Sequence, residues 1–133
     1  MSSLARNFLF TLFGLTAGVF GLWGCGGTEP TPYIFGFDPP TFDSFRGGMT
    51  QRLRVTLSQE VKEKTYIDID ISGADQQYVS TNPASYIIVA AGSKQQELDV
   101  VAKTATAAVT VAIGFTIRNG SEPVRKFSFQ ILP

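Results

Sequence analysis

The chain has 133 residues, with 11 basic and 11 acidic side chains, no histidine and one cysteine. Balanced charge offers no broad attraction for nucleic acid. The lack of histidine removes Ser-His-Asp and Cys-His catalysis and the commonest transition-metal ligand. A lone cysteine allows no disulfide within the chain, so a folded domain must rest on its core.

The N-terminus carries one charge, Arg6, and then a greasy stretch from Phe8 to Gly24 that ends at Cys25. A short basic start, an apolar run and small residues at its end follow the order of an export signal. The run is at the short limit of a bilayer-spanning helix, and Gly14, Gly18, Gly21 and Gly24 weaken it as one. The string Leu22-Trp23-Gly24-Cys25-Gly26 resembles the lipobox of a bacterial lipoprotein signal peptide. It has an aliphatic residue at minus three, a small one at minus one, and then the cysteine. Trp23 departs from the pattern, which usually has a small or β-branched residue there. The resemblance implies that residues 1–24 are removed, that Cys25 receives acyl chains such as palmitate, and that these hold the protein at the bacterial cell envelope. Gly26, where an aspartate would favour the inner membrane, points to the outer one. A plain secretory signal and a retained transmembrane helix are the other readings of this segment.

Loss of residues 1–24 leaves roughly 110 residues, the size of one domain. Residues 25–32 comprise the cysteine and a Gly/Pro spacer without periodicity, which reaches roughly 20 Å when extended. From residue 33 onward the apolar pattern has a period of two. Tyr33 to Phe37 is expected as a first strand, and Asp38-Pro39-Pro40 turns the chain because paired prolines block a central ladder. Phe42 to Arg46 is read as an edge strand and Gly47-Gly48 as a turn. Leu53, Val55 and Leu57 share one face of a strand over 52–57, as Ile67, Ile69 and Ile71 do over 66–71. Such alternation marks a strand with one face on a core and one in water. Further strands are expected at Tyr86–Val89, Glu97–Ala102, Val109–Ile117 and Arg125–Leu132. Asn119-Gly120 is a hairpin signal between the last two. No segment after residue 25 has a helical period. Roughly seven strands in residues 33–133 predict an all-β, antiparallel sandwich.

Several short strings in that span stand in a characteristic order. They are Phe37-Asp38-Pro39-Pro40, Gly47-Gly48, Val55-Thr56-Leu57-Ser58, Ile69-Asp70-Ile71-Ser72, Asn82-Pro83-Ala84-Ser85, Ala91-Gly92, Val109-Thr110-Val111 and Phe127-Ser128-Phe129. Together they resemble a bacterial immunoglobulin-like domain of secreted and surface proteins. The resemblance implies an immunoglobulin-like sandwich with a spacing, adhesive or binding role and no catalytic residue. Asp68 and Asp70 stand where that pattern more commonly has Thr or Ser.

The candidate contact residues follow from exposure and position. Tyr66 and Tyr86 are expected to face outward or lie near sheet edges, where aromatic side chains anchor partners. Asn82 and Asn119 fall in exposed connections, the usual place for binding residues. Tyr33, Phe35, Phe37, Phe42 and Phe45 are read mainly as core. Asp68 and Asp70, with Asp75 nearby, have hard oxygen ligands, but a straight strand is not a calcium loop and the pair reads as a solvated face. No metal, cofactor or catalytic residue is expected. The expected function is a noncatalytic binding, adhesive or structural module, with a protein or glycan partner and a membrane tether at Cys25. The alternative is an accessory subunit of an envelope complex that uses an open sheet edge for strand addition.

Overall fold

A computed structural model describes residues 30–133. Cys25 and the export-signal reading lie outside the described residues. Residues Pro32–Pro133 gather into one compact unit. Its strands are β1 (Ile34–Asp38), β2 (Thr50–Leu57), β3 (Thr65–Ile71), β4 (Val79–Asn82), β5 (Tyr86–Val89), β6 (Gln95–Ala102), β7 (Val109–Ile117) and β8 (Arg125–Ile131). A single 3₁₀ turn, Asp75–Gln77, joins β3 to β4.

The strands form two four-stranded sheets, ordered β1-β2-β6-β4 and β5-β3-β7-β8, with every named pairing antiparallel. This is an immunoglobulin-like β-sandwich. The inward residues of both sheets make one core, with Leu53 and Val55 of β2 and Ile67 of β3 fully enclosed. Burying such side chains contributes about 1.5–3 kcal/mol each. Phe37 packs against both Phe115 and Phe127, its ring centroid 5.3 Å from each.

Two local departures from strict alternation shape one side of the sandwich. Ile34 pairs with Leu57 but Gly36 pairs with Thr56, so Phe35 is an extra residue in β1. A bulge of this kind resets which side chains face inward. Ile34 and Phe37 therefore both turn to the core, while Phe35 is left 66% exposed.

The expected edge strand over Phe42–Arg46 is not formed. Its only ladder contact is an isolated bridge between Arg46 and Leu132. Ser44 has a φ of 53°, outside the extended region. Phe42 and Phe45 are both buried although three residues apart, which a period of two cannot achieve. They pack as a plug, with Phe42 4.9 Å from Phe45 and 5.0 Å from Phe127 between ring centroids.

The strand that the alternation did not reveal is β4. Val-Ser-Thr-Asn is short and polar, yet Val79 and Thr81 point inward and are buried. The chain then changes sheets through Asn82–Ser85. β4 pairs with Asp99–Ala102, the second half of β6. β5 pairs with Thr65–Asp68, the first half of β3. The first half of β6 and the last residues of β3 are thus left without a strand on that side.

Candidate functional site

The register of β3 and β5 sets Asp68 opposite Tyr86 and Tyr66 opposite Ile88. Tyr66 and Tyr86 are therefore diagonal neighbours on the outer face, within reach of each other as aromatic side chains. Their ring centroids lie 5.3 Å apart at an interplanar angle of 43°. Tyr86 is 39% exposed, and Tyr66 is half-buried.

Arg118 completes this pair. It follows β7 directly, and its N–H donates to the Tyr66 carbonyl at 2.9 Å, which fixes the backbone beside β3. Its guanidinium lies 4.7 Å from the Tyr66 ring centroid and 5.0 Å from that of Tyr86. Both distances are within cation–π range. Asp68 holds the guanidinium in place, accepting from Nη2 at 2.6 Å and from Nε at 3.1 Å. The Asp68 hydrogen bonds raise the Arg118 pKa above its ordinary value. Lys64 adds a second positive charge, 5.8 Å from the Tyr66 centroid. The result is a rigid Tyr-Arg-Tyr surface, the residue types that dominate binding hot spots.

Beside this surface lies an open groove of about 430 Å³, lined by Pro83, Ala84, Tyr86, Ile87, Ile88 and Gln96. It occupies the gap between the β5 edge and the uncovered first half of β6. Its walls are mainly apolar, and Ile88 is 37% exposed.

The four sequence candidates in the described region separate here. Tyr66 and Tyr86 come together. Asn82 ends β4 and lines a different, polar depression with Arg52, Gln96, Glu97 and Asp99. Asn119 has a φ of 65° and serves the β7–β8 hairpin, whose Gly120 N–H donates to the Ile117 carbonyl at 3.0 Å. Asn tolerates that left-handed backbone better than most residues, which accounts for it as a turn residue. Arg118, next to it in the chain, is the residue that sequence reasoning missed. Its only signal was a cation at the end of a long alternating strand.

Asp68 and Asp75 are engaged individually. Asp68 is held by Arg118, and Asp75 accepts from the Ala112 N–H at 3.1 Å. Among the described residues no three His, Cys, Asp or Glu side chains group to hold a metal ion. On the outer face of the other sheet, Arg52 and Arg54 are not free cations. Arg52 pairs with Glu97 and Asp99, both at 3.1 Å, and Arg54 with Glu97 at 3.0 Å. Hydrogen bonds from Arg54, and then Arg52, lower the Glu97 pKa.

No protein-family model matches the chain, and no curated protein matches it. Among solved structures, the chain is similar to WR4, a C. elegans MSP family member, at 15% identity. That match covers 72% of this chain and 94% of that one, with a TM-score of 0.47. It is similar to SSP-19, an MSP-domain protein like family member in Caenorhabditis elegans, at 13% identity over 74% and 97% of the two chains, with a TM-score of 0.47. It is also similar to the ASH / PapD-like domain 7 of human CEP192, at 11% identity over 82% and 91%, with a TM-score of 0.45.

Proposed function

We propose that this chain is a noncatalytic binding module of the bacterial cell envelope, tethered through lipid on Cys25. The observation that carries the binding role is the Tyr66–Arg118–Tyr86 surface, locked by Asp68 and open to solvent beside an apolar groove. Such a surface presents contact area that is already ordered, so binding costs little side-chain entropy. The tether rests on the lipobox-like Leu22-Trp23-Gly24-Cys25, and several acyl chains on one residue would make dissociation rare. The noncatalytic part of the reading rests on the sequence, which has no histidine to act as the commonest general base.

A second reading narrows the first. The domain acts as an accessory subunit of an envelope complex and receives a strand at its open edge. The uncovered β5 edge favours it.

The reading is tested in cells that express the full chain. Tyr86→Ala and Arg118→Ala should each abolish recovery of an envelope partner by cross-linking, while Gln130→Ala should not. Unchanged recovery in both site variants would refute the proposed surface.

A further inference from the structure

The sandwich has four sheet edges, and they are not equivalent. The β8 edge is covered by the segment 41–47. The Thr41 hydroxyl donates to the Ser128 carbonyl at 3.0 Å, and the Leu132 N–H donates to the Phe45 carbonyl at 2.8 Å. The β1 edge is bulged at Phe35, gives its Ile34 carbonyl to Arg125 Nη1, and runs into Pro39 and Pro40. Bulges and prolines both discourage pairing. Beside β4 the gap is stitched by polar side chains. Lys103 Nζ donates to the Gln76 carbonyl at 2.8 Å, and Gln76 Nε2 to the Ile71 carbonyl at 3.0 Å.

Among the described residues the β5 edge has no bulge in its register and no segment hydrogen-bonded over it, and its nearest proline, Pro83, stands before the strand. The Ile69 N–H donates to the Ser85 carbonyl at 2.9 Å, which sets the phase of this strand. Backbone groups alternate sides, so Ser85, Ile87 and Val89 face β3. The N–H and C=O groups of Tyr86 and Ile88 face the groove, with no strand beside them among the described residues. That is a row of paired donors and acceptors above an apolar trough.

We infer that β5 is a docking edge for an extended segment of a partner protein, which adds as an antiparallel strand and carries acidic residues at its N-terminal flank. This rests on the reading of the face as a binding face. The backbone groups of Tyr86 and Ile88 select an extended chain over a sugar or a helix, because only a strand matches their spacing. The apolar lining selects apolar side chains at alternate positions of the guest. Lys64 sets the flank. Its neighbour Thr65 lies opposite Val89, and Lys64 has no carboxylate partner among the described residues. The N-terminus of an antiparallel guest begins at that end. A second copy of this chain fits less well. Its own β5 and the residues 82–85 before it carry no acidic side chain to meet Lys64.

The test uses the full chain in detergent and a synthetic peptide of two aspartates followed by alternating valine and threonine. Amide NMR and titration should place the largest shifts, and new protection from exchange, at Tyr86 and Ile88. N-methylation of the peptide at its valines, and separately at its threonines, should abolish binding in one phase and spare the other. Ile88→Pro removes an N–H that β3 does not use and should weaken binding about tenfold or more. Replacing the aspartates with lysines should weaken binding in the parent and have less effect in Lys64→Ala. Indifference to both methylation phases would overturn strand addition while leaving side-chain docking on the tyrosine surface intact. No shift at Tyr86 and Ile88 at saturating peptide would overturn the inference, as would concentration-dependent dimerisation through β5 without peptide.

Discussion

Asp68 and Arg118, fifty positions apart in the chain, form the two-pronged contact that holds the outer face of β3 against the end of β7. Nε and Nη2 of one guanidinium both reach the same carboxylate, with the Tyr66 and Tyr86 rings beside that guanidinium. The pair is half-exposed, with 41% of the Arg118 side chain and 42% of the Asp68 side chain accessible. Surface pairs of this kind contribute little to stability. Its consequence is order in the two tyrosines.

Arg118→Ala is therefore expected to leave the thermal midpoint almost unchanged while altering the near-ultraviolet circular dichroism of the tyrosines. Asp68→Asn should give a weaker form of the same change. A large loss of stability with an unchanged tyrosine signal would mean that the contact supports the fold instead.

Acid should act on the opposite sheet. Hydrogen bonds from Arg54 and Arg52 hold the Glu97 pKa below its ordinary value. A carboxylate whose folded pKa is depressed adds stability above its unfolded pKa. That contribution is lost as the pH falls from the ordinary glutamate range through the lowered value. Unfolding measured across that window should be less pH-dependent in Glu97→Gln than in the parent. Added salt should shrink the difference, because the group is exposed. Equal slopes for both proteins would remove Glu97 from the account.

The turn before β2 has a steric requirement. A Cβ on Gly47 would sit 2.9 Å from the Thr104 Cα and 3.1 Å from the Lys103 carbonyl oxygen, both backbone atoms. Gly47→Ala should cost about 1–3 kcal/mol in denaturant unfolding, the usual range for overpacking. Gly36→Ala is the control, because nothing lies within 4 Å of its added Cβ. It should change stability by well under 1 kcal/mol. Equal costs at the two sites would show that the 103–104 segment moves aside freely.

Tethering gives a separate outcome. Cys25→Ala should move the protein from the membrane fraction to the soluble fraction and end incorporation of labelled palmitate. An epitope tag after Pro133 then distinguishes labelling of intact cells from labelling only after the outer membrane is opened. Unchanged membrane association of Cys25→Ala would favour a retained transmembrane helix over a lipid anchor.

Much of the sandwich was legible because alternation is a strong signal where one face is buried. Val109–Ile117 and Tyr86–Val89 were readable to the residue, and β2, β3 and β6 differ only by a residue or two at their starts. β4 was not legible, because Val-Ser-Thr-Asn has too few apolar residues to form a pattern. Its burial depends on β6 beside it. Phe42 and Phe45 misled for the opposite reason: aromatic density resembles a strand, but their spacing belongs to a plug over Phe127 and Phe129. The candidate site was half legible. Tyr66 and Tyr86 could be picked as outward aromatics, but Arg118 joins them only through the register of β3 on β7, which no local pattern encodes. Asn119 stands at a turn whose φ of 65° suits it, and Asn82 ends β4 where the chain changes sheets.

The most direct test of the account is site-specific photo-cross-linking in intact cells. A photoreactive phenylalanine analogue, which keeps an aromatic ring at the position, replaces Tyr86 in the full-length chain, and in a second strain it replaces Gln130 on β8, at the far edge of the same sheet. The account predicts a discrete cross-linked envelope species from position 86, absent from position 130 and lost when Arg118→Ala is added. Equal adducts from both positions, or none from position 86, would contradict a binding surface at Tyr66, Tyr86 and Arg118.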